Sequence, residues 1–247
     1  MIKVTNLKKT YKRKRAEDIV ANDNITLHFE KGQVIGIFGH NGAGKTTLVN
    51  QLIGLITPDS GSIEISGEDI MKNPARGRFL CSVQPQDQIP LGMLTPTQVV
   101  SIMGNIRGGV ETEARIKELF KNLEIEPWAN VMAEELSGGV KRLVSFCMAV
   151  INAGDIIILD EPTNDVDPVR RRHLWSEIEA LKQQGKTVLL VTHNIGEAES
   201  VVDHVVILDK GKVLMNEPIS QLRSKESSLE DIYINLTGKK EEVESYA

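Results

Sequence analysis

Hydrophobic and polar residues alternate in some segments near the N-terminus, whereas other apolar runs are continuous. Residues 25–29 and 63–65 alternate, which is typical of strands with one exposed face and predicts an antiparallel sheet in this region. Residues 34–38, 156–159 and 188–191 are continuously apolar, as expected for central parallel strands covered on both faces. The pattern predicts an α/β chain with a mixed sheet core and an N-terminal antiparallel β subdomain.

Helical spacing replaces the strand pattern between residues 95 and 154. Apolar residues recur there at i, i+3, i+4 and i+7 in two stripes. The second stripe runs through residues 140–151, and the first comprises Ile116, Leu119, Phe120 and Leu123. We therefore predict a helical subdomain, inserted over about residues 87–154 into a domain that spans residues 1–220.

The rest of the chain predicts fewer elements. A further helix is expected from about residue 169 to 182, and the apolar runs on either side of residues 209–212 indicate a hairpin. After residue 220 the chain becomes polar and charged, so residues 221–247 are expected to form a short C-terminal helix and a tail. The basic residues between 8 and 15 are interpreted as a solvated loop, with attraction of phosphate or of an anionic membrane surface as alternatives.

The amino-acid composition of the chain excludes some classes of function. The chain has 247 residues, 26% charged and 40% hydrophobic, as in ordinary globular proteins. Its net charge of -5 disfavours nucleic acid as a partner, because proteins that bind phosphate backbones carry a positive excess. The apolar runs are far shorter than the roughly 18 residues that cross a bilayer, and the first residues lack an export signal. We expect a cytoplasmic protein in which Cys81 and Cys147 are small apolar packers.

A glycine-rich loop follows the apolar strand 34–38 and precedes a helical run. This context is typical of a phosphate-binding loop, whose backbone N–H groups point at phosphate oxygens. Lys45 is expected to reach the β- and γ-phosphates and the Thr46 hydroxyl to ligate Mg²⁺, whereas only the backbone of His40 is expected to matter. The loop consists of Gly39, His40, Asn41, Gly42, Ala43, Gly44, Lys45, Thr46 and Thr47.

Polar residues also follow two later strands. Asp160 and Glu161 end the strand at 156–159, where Asp160 suits a direct or outer-sphere Mg²⁺ partner and Glu161 can orient or deprotonate an attacking water. His193 follows the strand at 188–191, a position that fits contact with a γ-phosphate.

A second anion site is predicted where the helix at 140–151 opens. The residues concerned are Ser137, Gly138 and Gly139. A simple helix cap remains the alternative for them, and the spacing does not say whether they face the same phosphate.

With these motifs in order, the chain resembles the ATP-binding subunit of ABC transporters from about residue 2 to residue 236. Residues 39–47 match the Walker A loop of that family, residues 136–139 its signature and residues 156–161 its Walker B strand. Single residues match its other motifs: Tyr11 the adenine-stacking aromatic, Gln86 the Q-loop, Asp167 the D-loop and His193 the switch histidine. The resemblance implies a P-loop NTPase fold of the ABC ATPase type.

The resemblance also implies the cofactors and the catalytic groups. ATP and Mg²⁺ are expected as cofactors. The residues expected to bind the metal are Thr46, Gln86 and Asp160. Catalysis is expected from Glu161, His193, Lys45 and Gln86. Two chains are expected to pack head to tail, so that Ser137, Gly138 and Gly139 of one subunit face the ATP of the other. The chain departs from the family's motifs at two positions. Residue 140 is Val where the family commonly has Gln, and Asp165 adds a carboxylate to the D-loop.

By resemblance, the chain drives a separate transmembrane permease from the inner face of the membrane, as a homodimer or as a heterodimer with a second ATP-binding subunit. Its docking surface is expected in the helical block and residues 87–94. Residues 229–238 resemble the end of drug, polysaccharide and lipid exporter subunits, which favours export over import. The alternatives are an ABC ATPase that regulates a membrane signalling partner without transport, a soluble ABC ATPase in translation or DNA repair, and a P-loop kinase.

Overall fold

The computed structural model of this chain describes residues 1–109, 112–222 and 228–244. The strands in chain order are β1 (Ile2–Tyr11), β2 (Ile19–Phe29), β3 (Val34–Phe38), β4 (Ser60–Ile65), β5 (Glu68–Asp69), β6 (Cys81–Gln84), β7 (Ile156–Asp160), β8 (Thr187–Thr192), β9 (His204–Asp209) and β10 (Lys212–Pro218).

The helices follow the predicted order but include elements that the pattern did not predict. They are α1 (Lys45–Leu52), α2 (Pro74–Leu80), α3 (Pro96–Ile106), α4 (Thr112–Asn122), α5 (Gly138–Val150), α6 (Pro168–Gln183), α7 (Ile195–Ala198), α8 (Ile219–Leu222) and α9 (Leu229–Glu244). Two short 3-10 turns, Glu126–Trp128 and Ala133–Glu135, lie between α4 and α5. In the described part of the chain, no helix has the length and apolar character of a membrane span.

The chain divides into two compact units. The first comprises Met1–Leu80 and Leu189–Ala247, and the second comprises Cys81–Val188. The helical subdomain predicted at about 87–154 falls within the range of the second unit, and its boundaries stay a prediction.

An antiparallel sheet in the first unit has the order β2-β1-β4-β5. Strand β1 pairs with β2 on one side and with β4 on the other, so that Val4 lies opposite both Leu27 and Ile63. All three side chains are buried, which confirms the antiparallel sheet predicted from alternation. The interpretation of residues 8–15 as a loop is wrong in part, because β1 extends into the basic segment as far as Tyr11 and pairs there with Ile19.

The first unit also contains β3, β9 and β10. Strand β3 is parallel to β9, which forms the predicted antiparallel hairpin with β10. Every residue of β3 is buried, as its continuous apolar sequence predicts. The glycine-rich loop follows β3 directly and leads into α1.

The second unit pairs β6 with β7 in parallel. Helices α3, α4 and α5 contact one another, and α5 also packs on both strands. All residues of β7 are buried, and so are the apolar stripes predicted for α4 and α5, except for Met148, which is half-buried. This arrangement places the end of β7 and the start of α5 within the same unit.

The C-terminal helix is longer than predicted. Helix α9 covers 16 residues, and residues 245–247, the end of the predicted tail, lie outside the described residues. It begins with a reciprocal cap: Asp231 N–H donates to Ser228 Oγ at 3.1 Å, and Ser228 N–H donates to Asp231 Oδ2 at 3.2 Å. The side chain of Leu229 is buried beside this cap.

Candidate functional site

The glycine-rich loop of the first unit has no room for side chains at two of its positions. A Cβ on Gly39 would collide with the carbonyl oxygen of Leu208, and a Cβ on Gly44 with that of Ala21. Gly44 also has a φ of 103°, in the left-handed region that L side chains rarely adopt. The loop therefore requires glycine at both positions.

The amino group of Lys45 lies inside this loop. Its Nζ donates hydrogen bonds to the carbonyl oxygens of Gly39 at 2.5 Å and His40 at 3.1 Å. The side chain is buried, so the loop encloses its charge. An enclosed ammonium group at this position attracts an anionic ligand.

The N-terminus of α1 fits such an anion. No side chain caps it, whereas Thr95, Ser137 and Asp167 cap α3, α5 and α6. The first N–H groups of a helix have no acceptor within the helix and carry partial positive charge. Together with Lys45, they suit phosphate groups in this loop.

Tyr11, the predicted adenine-stacking residue, lies beside the same helix. Its hydroxyl is 3.5 Å from Thr47 Oγ1, and 37% of the residue is exposed. An exposed aromatic ring next to a phosphate-binding loop can stack on a base. The role itself stays a prediction.

The side chain of His40, for which no role was predicted, contacts two other residues of the first unit, and the prediction for its backbone stays a prediction. Its Nε2 is 2.8 Å from Asp209 Oδ1, and its Nδ1 is 2.7 Å from the carbonyl oxygen of Asn41. Carboxylate and carbonyl oxygens only accept hydrogen bonds, so the ring of His40 is the donor in a hydrogen bond to either of them. Asp209 ends β9 and was missed because 169 residues separate it from His40.

His193, predicted to contact a γ-phosphate, directly follows the fully buried strand β8. His193 is exposed, whereas Thr192, the residue before it, is buried. The hydroxyl oxygen of Thr192 accepts a hydrogen bond from Asn194 N–H at 3.0 Å. The buried end of β8 and this hydrogen bond thus fix the position of the His193 backbone.

In the second unit, Asp160 and Glu161 stand at the end of β7 and are 4% and 3% exposed. Glu161 has a φ of 51°, which is uncommon for a residue with a side chain and stores backbone strain. The next turn is held by a hydrogen bond from Asn164 N–H to the carbonyl oxygen of Glu161 at 3.3 Å. A buried acidic residue with a strained backbone is typical of a functional position.

Arg142 on α5 holds the segment that contains Gln86. Its guanidinium donates to the carbonyl oxygens of Pro85 at 3.0 Å and Gln86 at 2.7 Å, while Gln84 Nε2 donates to the carbonyl oxygen of Arg142 at 3.1 Å. Arg142 is buried, and the side chain of Gln86 is exposed. Sequence reasoning missed Arg142, although an arginine next to the apolar stripe of α5 was a usable signal.

Ser137 caps the start of α5. Its Oγ accepts a hydrogen bond from Val140 N–H at 3.3 Å, so the structure contains the helix cap that the sequence left as an alternative. Gln88 Nε2 donates to the carbonyl oxygen of Gly138 at 3.4 Å. Val140 is buried, which explains an apolar residue at this position. Contact of Ser137, Gly138 and Gly139 with a partner's ATP stays a prediction.

Asp167 caps α6. Its side chain accepts hydrogen bonds from the N–H groups of Val169 and Arg170, both at 3.1 Å, and from the Arg170 guanidinium at 2.9 Å. Burial raises the pKa of Asp167, but the hydrogen bonds from Arg170 outweigh it, so the pKa lies below its ordinary value. The Arg170 guanidinium also lies 4.7 Å from the centre of the Trp128 ring. Asp167 is thus an ionised helix cap, and its D-loop role stays a prediction.

The residues predicted to hold Mg²⁺ have suitable donor atoms. Thr46, Gln86 and Asp160 offer hydroxyl, amide and carboxylate oxygens, which are the ligands that Mg²⁺ prefers. Among the described residues, no cluster of three or more His, Cys, Asp or Glu side chains forms a metal site by itself. Thr46 lies in the first unit, whereas Gln86 and Asp160 lie in the second, and their contact with one metal ion stays a prediction.

Comparison with known proteins gives a consistent result. The sequence profile described as "ABC transporter" matches residues 22–164, more than half of the chain. The chain is 34% identical over 214 residues to the Nod factor export ATP-binding protein I of Cupriavidus metallidurans, which covers 86% of this chain and 69% of that protein. For the protein of the same name from Cupriavidus pinatubonensis, the identity is 35%, with 81% and 62% covered. The chain thus spans about two thirds of the length of these relatives.

Two solved structures share the fold. The ATP-binding subunit of an ABC transporter has a TM-score of 0.84 and 26% identity, covering 96% of this chain and 99% of that one. A dimeric post-hydrolysis state of an ATP-binding cassette, bound to ADP and Pi, has a TM-score of 0.79 and 30% identity, with 89% and 99% covered.

Proposed function

Since this chain belongs to the ABC transporter family, we propose that it is the subunit that binds and hydrolyses ATP in an exporter and drives a separate transmembrane permease. The observation that carries the proposal is the loop between β3 and α1, which encloses Lys45 and leaves the helix N-terminus without a side-chain cap. We propose export as the direction of transport because the named relatives are export proteins. The chain then works at the inner face of the membrane through its permease.

The residues have separate roles in this proposal. The loop and Lys45 bind the phosphates of ATP, Tyr11 stacks on the adenine, and His193 contacts the γ-phosphate. Thr46, Asp160 and Gln86 hold Mg²⁺, which neutralises phosphate charge when bound. Glu161 orients or deprotonates the attacking water, a role supported by the burial of this residue and by the strain of its backbone.

We further propose that two subunits pair head to tail around ATP. Ser137, Gly138 and Gly139 then bind the γ-phosphate held by the opposite subunit, and charge-assisted hydrogen bonds close the dimer. Hydrolysis removes these bonds and loosens it. The partner is a second copy of this chain or another ATP-binding subunit.

The docking surface for the permease is proposed in the second unit. A cleft of about 330 Å³ is lined by Gln88, Pro90, Leu91 and Lys141, among others. Large apolar side chains are exposed elsewhere in this unit, and those of Met93 and Ile106 are each 73% exposed. Such exposure supports contact with another protein.

The test is capture of the partner from native membranes solubilised in detergent, with Glu161→Gln as bait in the presence of ATP and Mg²⁺. We expect this variant to bind ATP without hydrolysing it and to retain a polytopic membrane protein in stoichiometric amount. A Lys45→Ala bait serves as the control, since it is expected to lose ATP binding and to capture less.

Recovery of ribosomes, of DNA-repair factors or of no membrane protein would contradict the proposal. Vesicles that contain the captured complex then test transport, with ATP-driven flux as the expected result. A complex that hydrolyses ATP but moves no substrate would favour regulation of a signalling partner instead.

A further inference from the structure

Two consecutive carbonyl groups of the glycine-rich loop, those of Ala43 and Gly44, are held by hydrogen bonds from outside the loop. Asn22, on β2, donates from Nδ2 to the carbonyl oxygen of Gly44 at 3.2 Å. The N–H of Gly211, between β9 and β10, donates to the carbonyl oxygen of Ala43 at 3.1 Å. The carbonyl oxygen of Gly211 in turn accepts a hydrogen bond from the N–H of Asp23 at 2.8 Å, so both contacts are tied to β2.

The loop lies directly against β2 at this point. A Cβ on Gly44 would collide with the carbonyl oxygen of Ala21 and with the amide nitrogen of Asn22. Asn22 is completely buried, so water does not compete for its amide group. The side chain of Asn22 is therefore in close contact with the backbone of the loop.

The two held carbonyl groups determine the direction of two N–H groups. In a trans peptide the C=O and N–H groups point in opposite directions. The hydrogen bond to the Gly44 carbonyl group therefore orients the N–H of Lys45, and the one to the Ala43 carbonyl group orients the N–H of Gly44. The N–H of Lys45 belongs to the first turn of α1, which no side chain caps and which suits phosphate groups.

The carbonyl oxygen of Gly44 has a second donor. It also accepts a hydrogen bond from the N–H of Leu48 at 3.0 Å, so it would keep a partner without Asn22. The Oδ1 atom of Asn22, by contrast, has no hydrogen-bond partner among the described residues, and burial of such a polar atom costs free energy. An apolar side chain of similar volume at position 22 is therefore expected to leave the fold at least as stable.

We propose that Asn22 is a positioning residue for nucleotide binding. From its buried place on β2 it fixes the carbonyl group of Gly44 and so directs the N–H of Lys45 toward the phosphate groups of the nucleotide. Because this N–H is oriented before the nucleotide arrives, less freedom is lost on binding. This inference rests on the proposed role of residues 39–47 in binding ATP.

The test uses Asn22→Leu in the full chain, which keeps a side chain of similar volume and removes both polar atoms. Titration calorimetry with ADP is expected to show about three- to tenfold weaker binding, the size of one lost hydrogen bond. The KM for ATP is expected to rise by the same factor while kcat changes less than twofold, because the proposed catalytic groups are unchanged. The midpoint of thermal unfolding is expected to equal that of the wild type or to exceed it.

Ile25→Val, at a buried position on the same strand, is the matched control. Loss of one methylene group from the core is expected to lower the midpoint of thermal unfolding by about 1–6 °C, while ADP binding stays normal. The two variants are thus expected to separate affinity from stability. If Asn22 had only a structural role, Asn22→Leu would behave like Ile25→Val.

A second measurement needs no nucleotide. The amides of Ala43 and Leu48 donate to carbonyl oxygens of the loop at 3.1 and 3.0 Å, so their hydrogen exchange reports the order of the loop. Exchange of both is expected to be faster in Asn22→Leu than in the wild type or the control. Asn22→Ala, which removes the amide group without adding bulk, is expected to show the same faster exchange and weaker ADP binding, and it serves as the test if the leucine variant does not fold.

Unchanged ADP affinity in the variants at position 22 would overturn the inference. A lower midpoint of unfolding in Asn22→Leu with unchanged amide exchange would also overturn it, since Asn22 would then support the fold and not the loop. If the wild-type protein binds neither ADP nor ATP, the proposed function fails instead, and the exchange measurement still decides whether Asn22 orders the loop.

Discussion

Gly139 and the backbone of Asp165 lie so close together that no side chain fits between them. A Cβ on Gly139 would collide with the carbonyl oxygen of Asp165, whereas the nearest atom to a Cβ on Gly138 is Gln88 Nε2 at 3.4 Å. The start of α5 therefore packs directly on the segment between β7 and α6. Within the second unit, this contact joins the predicted signature to the predicted D-loop.

Gly139→Ala is expected to lower the free energy of unfolding by about 1–3 kcal/mol, because the added methyl group must displace backbone. Gly138→Ala is expected to change it by less than about 0.5 kcal/mol, since the space is sufficient and alanine favours a helix. Urea denaturation of the two variants measures the difference. Equal stability would show that the packing of Gly139 on Asp165 does not matter.

Two substitutions of Ser137 separate its cap from its proposed contact with a partner's ATP. Ser137→Ala is expected to cost about 1 kcal/mol of stability, because the cap to Val140 N–H is lost. Ser137→Asp keeps a capping oxygen and is expected to be as stable as the wild type. In the Glu161→Gln background, however, its negative charge is expected to prevent the dimer that ATP induces.

Light scattering with and without ATP measures this dimer. The Glu161→Gln protein without a change at Ser137 is the control and is expected to form the dimer with ATP. A dimer of undiminished stability with Ser137→Asp would contradict the head-to-tail arrangement.

Arg142→Lys is expected to lower the free energy of unfolding by about 1–3 kcal/mol. A lysine cannot reproduce the two-pronged contact of the guanidinium with the carbonyl oxygens of Pro85 and Gln86, and a buried acceptor without a donor is costly. Faster hydrogen exchange around residue 86 is expected to accompany the loss. Normal stability and normal exchange would mean that Arg142 does not hold this segment.

Local patterns predicted much of the fold and the motifs. The continuous apolar runs became the buried strands β3, β7 and β8, and the predicted ABC ATPase fold is confirmed by the family profile and the solved structures. Strand β1 was missed because its second half is basic, and β6 because it has only four residues. Both segments are strands because they pair with neighbouring strands, and this pairing cannot be read from the pattern of apolar residues along the chain.

The parts of the site that could not be predicted depend on contacts between distant residues. Lys45 and Glu161 stand in motifs whose spacing is visible in the sequence. The partner of His40, by contrast, is Asp209, 169 residues away, and the donor to the Gln86 carbonyl is Arg142, 56 residues away. Neither pair leaves a periodic or spacing signal, so only the folded chain brings them together.

The two cysteines provide a direct test of the core of the second unit. Burial raises the pKa of Cys81 to about 12, and burial together with the nearby Glu177 raises the pKa of Cys147 further still. At pH 8 almost no thiolate is present at either residue, and both side chains are buried, so Ellman's reagent is expected to label neither in the native protein. In guanidinium chloride both are expected to react, because the unfolded thiols regain their ordinary pKa and access to the reagent. Rapid labelling of native protein, assigned to Cys81 or Cys147 by mass spectrometry, would show that β6 or α5 opens far more readily than its packing implies.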